Sequence, residues 1–358
     1  MNTFEIIGLM SGTSLDGLDI AHVEFNLDSE KQDSFNLLNY STIEIPNDLK
    51  QKLVDAPDFS VQSLLMLDKE LGAFFAKCVN QFIGKNKINK KSIRAIASHG
   101  QTILHQPKNG FTLQIGCGST LSYLTAIDVI NDFRTRDVIA GGQGAPLVPI
   151  GDFGLFNAQA EAFLNIGGFA NFSYKKGSAI IAYDLCPGNL PLNKLAAAKG
   201  LSYDSNGEMA ESGEINFFLL DLLNSLDYYQ LDGPKSLGTE WLEESFYPLL
   251  KFDKEIENNL RTVVEHEAIQ ISQKLNETHV KSVLITGGGA KNKFLISRIE
   301  HYFSGKVILP EEKIIDFKEA IVFAYLGALY LEKRPNSIAT VTGAKQDTIC
   351  GVLHVPGY

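Results

Sequence analysis

A chain of 358 residues, 44% hydrophobic and 21% charged, is long enough for about two domains and has the composition of a folded globule rather than a disordered or fibrous chain. Its net charge of −10 argues against the basic stripe a nucleic-acid partner needs, but leaves room for anionic small molecules at a local site. Cys78, Cys117, Cys186 and Cys350 are scattered without a CxxC pair, which speaks against a disulfide framework or a zinc site and for free thiols in a reducing compartment.

The N-terminal apolar run has no Lys or Arg ahead of it and is soon interrupted by Ser11, so no secretory leader is expected. The longest apolar stretch, 320–331, falls short of the about 20 residues needed to cross a bilayer. The expected location is cytoplasmic, with neither a membrane nor a nucleic acid as partner. The oligomeric state is left open, a homodimer included.

Residues 4–10 and 18–27 read as strands, rich in Ile, Val and Phe, around the turn SGTSLDG. Leu64, Leu67, Leu71, Phe74, Phe75, Val79 and Phe82 recur at helical spacing and predict a helix over 61–84. IRAIAS (93–98) reads as a buried strand ending in HGQT, and FTLQIG (111–116) as another, followed by a short helix and AIDVIND. Residues 132–149 read as a glycine- and charge-rich loop.

From 161 to 184 the theme restarts as strand, glycine turn, strand, turn, strand. Helices are expected at about 188–199, 211–226, 239–250 and 254–276, then strand, glycine turn and helix over 280–303. KVILP follows as a strand and 318–332 as a last helix. The restart predicts one domain over 1–150 and a second over 151–358, with the last helix able to pack back onto the first.

Six of the seven residues Ser11, Gly12, Thr13, Ser14, Leu15, Asp16 and Gly17 are small hydroxyl residues, glycines or a carboxylate. Such residues are common in hairpin turns for conformational reasons. Their density here exceeds what a turn requires and favours an anion cradle: amides and hydroxyls donate to phosphate, and Asp16 can hold Mg²⁺. LNIGGFANFS (164–173) offers Gly167, Gly168 and Asn171 to a second phosphate in the same way.

In LITGGGAKNKFL (284–295) a glycine turn follows a strand and opens a helix, with Glu311 and Glu312 after the next strand. A dinucleotide fingerprint has that form, although Asn292 stands where its third glycine belongs. A turn at the adenosine end of one nucleotide explains the same residues, and the two readings stay open at this point. No GxxxxGK[ST] is present, so the chain is not a Walker-type binder.

His266-Glu267 lacks the second His of a zinc protease and reads as a solvated helix face. His22, His99 and His105 make no metal-spaced set, and His99 is open between core and site. In YDLCPGN (183–189), Asp184 ends a strand where Pro187 and Gly188 force a turn. A carboxylate there can serve as a general base or merely cap a turn. Cys186, with nothing basic adjoining it, reads as a small buried residue.

Taken together the segments GLMSGTSLDGLD (8–19), HGQT (99–102), LQIG (113–116), DFRTRDVIAGGQGAPLVP (132–149), LNIGGFAN (164–171), YDLCPGN, PKSLGTEW (234–241), GGGAKN (287–292) and VTGA (341–344) resemble the anhydro-N-acetylmuramic acid kinases, within the actin/Hsp70/sugar-kinase superfamily. They run in order across nearly the whole chain. The resemblance implies an α/β protein of two ribonuclease-H-like domains, the actin-like ATPase fold, with ATP and sugar in an interdomain cleft.

It further implies that Gly12, Thr13, Ser14, Leu15, Asp16, Gly17, Leu18 and Asp19 form the ATP-phosphate loop and that Gly167 and Gly168 form the second phosphate turn. Gly287, Gly288, Gly289 and Asn292 would meet the adenosine, and Asp184 would be the catalytic base. Gln101, Thr102, Arg134 and Glu319 would bind the sugar, and Asp16 the Mg²⁺. The activity implied is ATP- and Mg²⁺-dependent phosphorylation of O6 of 1,6-anhydro-N-acetylmuramic acid as water opens the anhydro bridge, in cell-wall recycling.

One departure stands at the corner. The family pattern has Thr-Gly where this chain has Leu185-Cys186, which restricts φ and removes a hydroxyl. The readings from other classes are a chaperone-like ATP-binding protein of the same superfamily, for which no peptide-binding domain is expected after residue 358, and an NAD-dependent enzyme.

Overall fold

The computed structural model describes residues 2–12, 15–28, 32–252 and 254–357; Thr13 and Ser14 of the expected phosphate loop lie outside the described residues. In chain order the strands are β1 (Asn2–Ser11), β2 (Leu18–Leu27), β3 (Ser34–Ile43), β4 (Ile93–Ser98), β5 (Gln101–Gln106), β6 (Phe111–Ile115), β7 (Val129–Asn131), β8 (Ala162–Ile166), β9 (Phe169–Lys176), β10 (Ala179–Pro187), β11 (Ser282–Thr286), β12 (Lys306–Ile308) and β13 (Val352–His354). By Cα proximity the chain divides into two units: residues 1–156 with 317–358, and residues 157–316. The division therefore falls a few residues beyond the restart read at 151. Residues 317–358, placed by sequence in the second half with the last helix able to pack back, lie in the first unit.

Unit 1 holds a sheet in the order β13-β7-β4-β1-β2-β3. β2 runs antiparallel to both β1 and β3, while β4 is parallel to β1 and β7 parallel to β4. β5 and β6 form a separate hairpin. β3 and β13, absent from the predicted elements, are edge strands; β3 alternates exposed and half-buried residues, the pattern of a strand covered on one face.

Helix Val61–Lys85 starts where Ser60 Oγ accepts the Ser63 amide. It buries Leu67, Leu71, Phe75, Val79 and Phe82 in one cluster with Ile7, Leu9 and Ile96 of the sheet. Each such side chain contributes about 1.5–3 kcal/mol of burial.

Helix Glu312–Leu331 crosses β1 so closely that a Cβ at Gly8 would collide with the carbonyl oxygen of Ala320. The same helix is tied to its unit by a buried ion pair, Lys318 Nζ to Asp152 Oδ1 at 2.6 Å. The hydroxyl of Tyr325 also donates to Asp33 at 2.5 Å. These contacts are why its long apolar run returns to the N-terminal unit. The expected loop 132–149 contains a helix at Thr135–Ile139 and the start of another at Val148–Leu155.

Unit 2 repeats the arrangement with the order β10-β9-β8-β11-β12. β9 is antiparallel to its two neighbours, while β11 is parallel to β8 and β12 parallel to β11. Helix Ile256–Glu277 contributes Leu260, Val263, Val264, Ala268, Ile271 and Leu275 to its core.

That helix corrects one reading. His266 and Glu267 are both 0% exposed, so they form no solvated face. His266 is satisfied by Tyr229 Oη at 2.8 Å and Asn224 Oδ1 at 2.7 Å, and burial lowers its pKa to about 3. A two-residue motif cannot reveal burial on every side of a helix. The helix expected over 239–250 is likewise a short turn at Thr239–Trp241 continued by tighter and wider turns to Phe252.

Candidate functional site

Two sets of side chains gather, one within each unit. In unit 2 three glycine turns meet at the ends of their strands. Asn189 N–H donates to the Gly167 carbonyl at 2.8 Å, and Gly188 N–H to Gly168 at 2.9 Å. A Cβ at Gly188 would stand 2.7 Å from the Gly167 oxygen, and one at Gly287 2.6 Å from the Ile166 oxygen. Gly287 also has φ +82°, and Gly289 is packed against the Ile166 side chain. For these three, glycine is demanded by the fold itself.

Gly167 and Gly288 differ. Neither has positive φ, and a Cβ would approach nothing nearer than 3.6 Å at Gly167 or 3.4 Å at Gly288. The fold does not require glycine at either position. What their missing side chains leave is room beside the backbone, as a close-approaching phosphate or nucleoside needs, although the Gly167 amide itself donates to the Phe169 carbonyl at 3.1 Å.

Asn292 caps helix Lys293–Tyr302, accepting the Leu295 amide at 3.0 Å. That explains the residue at the position of a third glycine. Glu311 and Glu312 pair with Lys313 at 2.8 Å and Lys291 at 3.4 Å, so the acidic residues of the dinucleotide reading are engaged in surface ion pairs.

Asp184 lies on β10, in register with Asn171 on β9. Asn171 Nδ2 donates to its Oδ1, and the Leu237 amide donates to Oδ2 at 2.8 Å. Burial pushes the carboxyl above its ordinary range, against these two donors, which favour the charged form. Asp184 caps no helix; Gly188 stands at the N-cap of Asn189–Ala197.

A bulge between Asp184 and Cys186 turns both Leu185 and Cys186 into the core, at 4% and 0% exposure. The two departures from the family pattern therefore fill apolar volume. Burial pushes the Cys186 thiol well above its ordinary range, and it is the small buried residue expected.

In unit 1, β1 and β2 close at Ser11 opposite Leu18, and Gly12, Leu15, Asp16 and Gly17 are the described residues between them. The Leu15 amide donates to the Gly12 carbonyl at 3.1 Å, with Leu15 at φ +56°. Asp16 is exposed, Gly17 is buried against Thr42, and Asp19 accepts the Thr42 hydroxyl at 2.5 Å. An exposed carboxylate is a hard oxygen ligand of the kind a hydrated Mg²⁺ shared with phosphates takes.

Buried Gln101 accepts the Ser11 hydroxyl at 2.6 Å, and Thr102 accepts from Gln114 at 3.3 Å. Arg134 donates to His99 Nε2 from Nε and Nη2, at 3.2 and 2.9 Å, and to the Gly144 carbonyl at 2.7 Å. The charge of Glu319 bears on Arg134, and that of Asp19 on Glu319, so three expected site residues from three segments, Asp19, Arg134 and Glu319, share one region of the unit. Burial raises the pKa of Glu319 despite Lys318 and Arg134.

Arg134 and Arg136 are held by groups other than the neighbouring Asp132 and Asp137. Arg136 donates to the Ile349 carbonyl, and Asp137 accepts from Ser337, Thr342 and the Gly144 amide. Sequence reasoning missed the roles of Leu237, Tyr228 and Lys235 around Asp184. PKSLGTEW carried the only signal, and no side-chain chemistry marks a backbone amide as a donor.

Each unit carries the ribonuclease-H-like strand order 3-2-1-4-5 with its second strand antiparallel, which defines the class: an α/β protein of the actin-like ATPase fold. Residues 4–356 match the family described as anhydro-N-acetylmuramic acid kinase. The protein of that name from Haemophilus influenzae is 35% identical over 97% of this chain and 97% of its own length. The one from Pseudomonas fluorescens is 36% identical over 97% and 98%. A solved structure, the Acidaminococcus fermentans (R)-2-hydroxyglutaryl-CoA dehydratase component A, aligns with 90% of this chain and 96% of its own at TM-score 0.46 and 11% identity. The chain belongs to the anhydro-N-acetylmuramic acid kinase family, and it is a kinase.

Proposed function

We propose that this chain uses ATP and Mg²⁺ to phosphorylate O6 of 1,6-anhydro-N-acetylmuramic acid while water opens the anhydro bridge, giving N-acetylmuramic acid 6-phosphate. Asp184 takes a proton from the water that adds at C1, and the released O6 accepts the γ-phosphoryl group. The observation that carries this reading is Asp184 itself: a carboxylate of raised pKa, oriented by Leu237 and Asn171, on the strand that leads into the converging glycine turns.

The two units serve as two actin-like ATPase domains, each with a phosphate turn: residues 12–19 in one, Gly167 and Gly168 in the other. Gly287, Gly288, Gly289 and Asn292 meet the adenosine. Asp16 would hold Mg²⁺, which when bound would supply charge stabilisation for phosphoryl transfer. Gln101, Thr102, Arg134 and Glu319 bind the sugar, with Arg134 on the lactyl carboxylate. A cytoplasmic place in cell-wall recycling follows from that substrate, and four free, buried cysteines support a reducing compartment.

ADP release by the purified protein, measured with and without the anhydro-sugar, tests the proposal. Sugar-dependent release is expected. Sugar-independent turnover would favour a chaperone-like ATPase, and NAD binding without nucleotide turnover a dehydrogenase.

A further inference from the structure

Asp184 is gripped by a segment that belongs to none of the sheet strands. The hydroxyl of Tyr228 donates to the Asp184 carbonyl at 2.7 Å. The Asp184 amide donates to the Lys235 carbonyl at 3.1 Å, and the Leu237 amide reaches the carboxylate at 2.8 Å. Between these anchors the chain makes one short turn, Asp227–Gln230, and then runs through exposed residues 230–234. A stretch of that kind has little to fix it on its own.

What closes it is the ammonium of Lys235. Nζ donates to the carbonyls of Tyr228 at 2.7 Å and Leu231 at 3.0 Å, and stands 4.4 Å from the centroid of the Tyr228 ring. A solvated surface lysine has no reason to satisfy two main-chain carbonyls. Here one side chain joins Tyr228, which holds the Asp184 backbone, to position 235, two residues before the amide that holds its carboxylate. Tyr228 is itself only 6% exposed and lies against Tyr229 and Trp241. The far wall of the segment is fixed, and the Lys235 side is the part a single substitution can release.

We propose that Lys235 is a positioning residue for Asp184: its ammonium clamps segment 228–237 so that the Leu237 amide and the Tyr228 hydroxyl hold the carboxylate in its working orientation. This rests on the reading of Asp184 as the general base. The Leu237 donor favours the carboxylate form, so releasing it raises the pKa of Asp184 and moves the acid limb of kcat to higher pH. The other titratable groups whose environment includes the Asp184 charge are Tyr228 and Cys186, both kept neutral by burial. Lys235 has its own pKa lowered by burial, with Lys274 adding to the effect and Asp232 and Glu277 opposing it.

The test is steady-state kinetics of the full chain with Mg·ATP and the anhydro-sugar for wild type, Lys235→Met, Tyr228→Phe, Asp184→Asn and the double variant Lys235→Met/Asp184→Asn. Lys235→Met is expected to lower kcat between about tenfold and a hundredfold, the range for a misplaced catalytic group, with KM for ATP held within about twofold. Its acid limb should move to higher pH, and the same change in the Asp184→Asn background should cause no further loss. Should Lys235→Met fail to fold by circular dichroism, Tyr228→Phe, which keeps the ring, is read through the same cycle and the same pH profile.

An equal proportional loss in both backgrounds, or an unchanged kcat and pH profile, would overturn the inference while an inactive Asp184→Asn left the base reading standing. A wild-type rate in Asp184→Asn would overturn the base reading itself.

Discussion

Arg134 Nη2 lies 2.9 Å from Nε2 of His99, whose other ring nitrogen lies 2.9 Å from the Gly100 carbonyl. The network assigns the proton to Nδ1 and leaves Nε2 as acceptor. Burial, with the charge of Arg134 beside it, lowers the pKa of His99 to about 3, so the ring is neutral at physiological pH and can accept. Arg134, brought down to about 10 by burial with Glu319 opposing, remains charged there. His99 is thus a buried strap that aims an arginine.

If Arg134 reads the lactyl carboxylate, His99→Phe should raise KM for the muramic substrate about tenfold or more and leave KM for ATP unchanged. A hydrogen bond to a charged group contributes about 1.5–3 kcal/mol, and Phe keeps the packing on Phe323. Arg134→Ala should abolish discrimination between the muramic sugar and an anhydro-sugar lacking the lactyl group. Equal losses on both sugars would remove Arg134 from that role.

Asp184→Asn should cut sugar phosphorylation by about 10²–10⁴, the usual contribution of a general base. ATP binding, followed by calorimetry, should persist, because the glycine turns are untouched. A variant turning over at the wild-type rate would show that another group takes the proton.

The glycines divide into two kinds, and alanine substitution should separate them. Gly287→Ala is expected to lower the melting temperature, since its φ is +82° and the new Cβ would press on the Ile166 oxygen. Gly288→Ala and Gly167→Ala should leave the melting temperature within a few degrees of wild type and weaken ATP binding. An unchanged ATP affinity in both would show that no ligand approaches these glycines.

Asp16→Ala should raise the Mg²⁺ concentration needed for half-maximal turnover if, as proposed, its exposed carboxylate holds the metal. A magnesium titration identical to wild type would detach the turn from the metal.

Acid should weaken unit 2 through Glu265. Burial raises the pKa of this carboxyl, but Arg298, at 2.9 and 2.7 Å, and the Tyr302 hydroxyl outweigh it and hold the value below the ordinary glutamate range. With the folded pKa depressed, the stabilisation is fully present above the unfolded glutamate value, about 4.3, and is lost as pH falls through the folded one. Glu265→Gln should cost on the order of 1–3 kcal/mol at pH 7 and flatten the decline of melting temperature at acid pH. An equally steep decline in the variant would place the acid-labile group elsewhere.

The sequence by itself determined a good deal here. Local spacing was enough for β1, β2, β4 and helix Val61–Lys85, whose apolar periods are long and regular. The motif segments marked the glycine turns and Asp184, because turns carry their chemistry in consecutive residues.

Tertiary structure decided what depends on distant partners. That the last helix can pack back was an open option in the sequence; residues 317–331 do so because Gly8 lets the helix backbone approach and Asp152 pairs with Lys318, partners no local pattern names. His266 and Glu267 looked solvated in a charged stretch and are enclosed on all sides. Gly287 and Gly288 are adjacent and identical in sequence, yet one is required by its φ and its neighbour's carbonyl and the other is not. The Asp184 carboxylate takes its orientation from a backbone amide fifty-three residues away, and every residue but proline has such an amide, so only folding could single out that of Leu237.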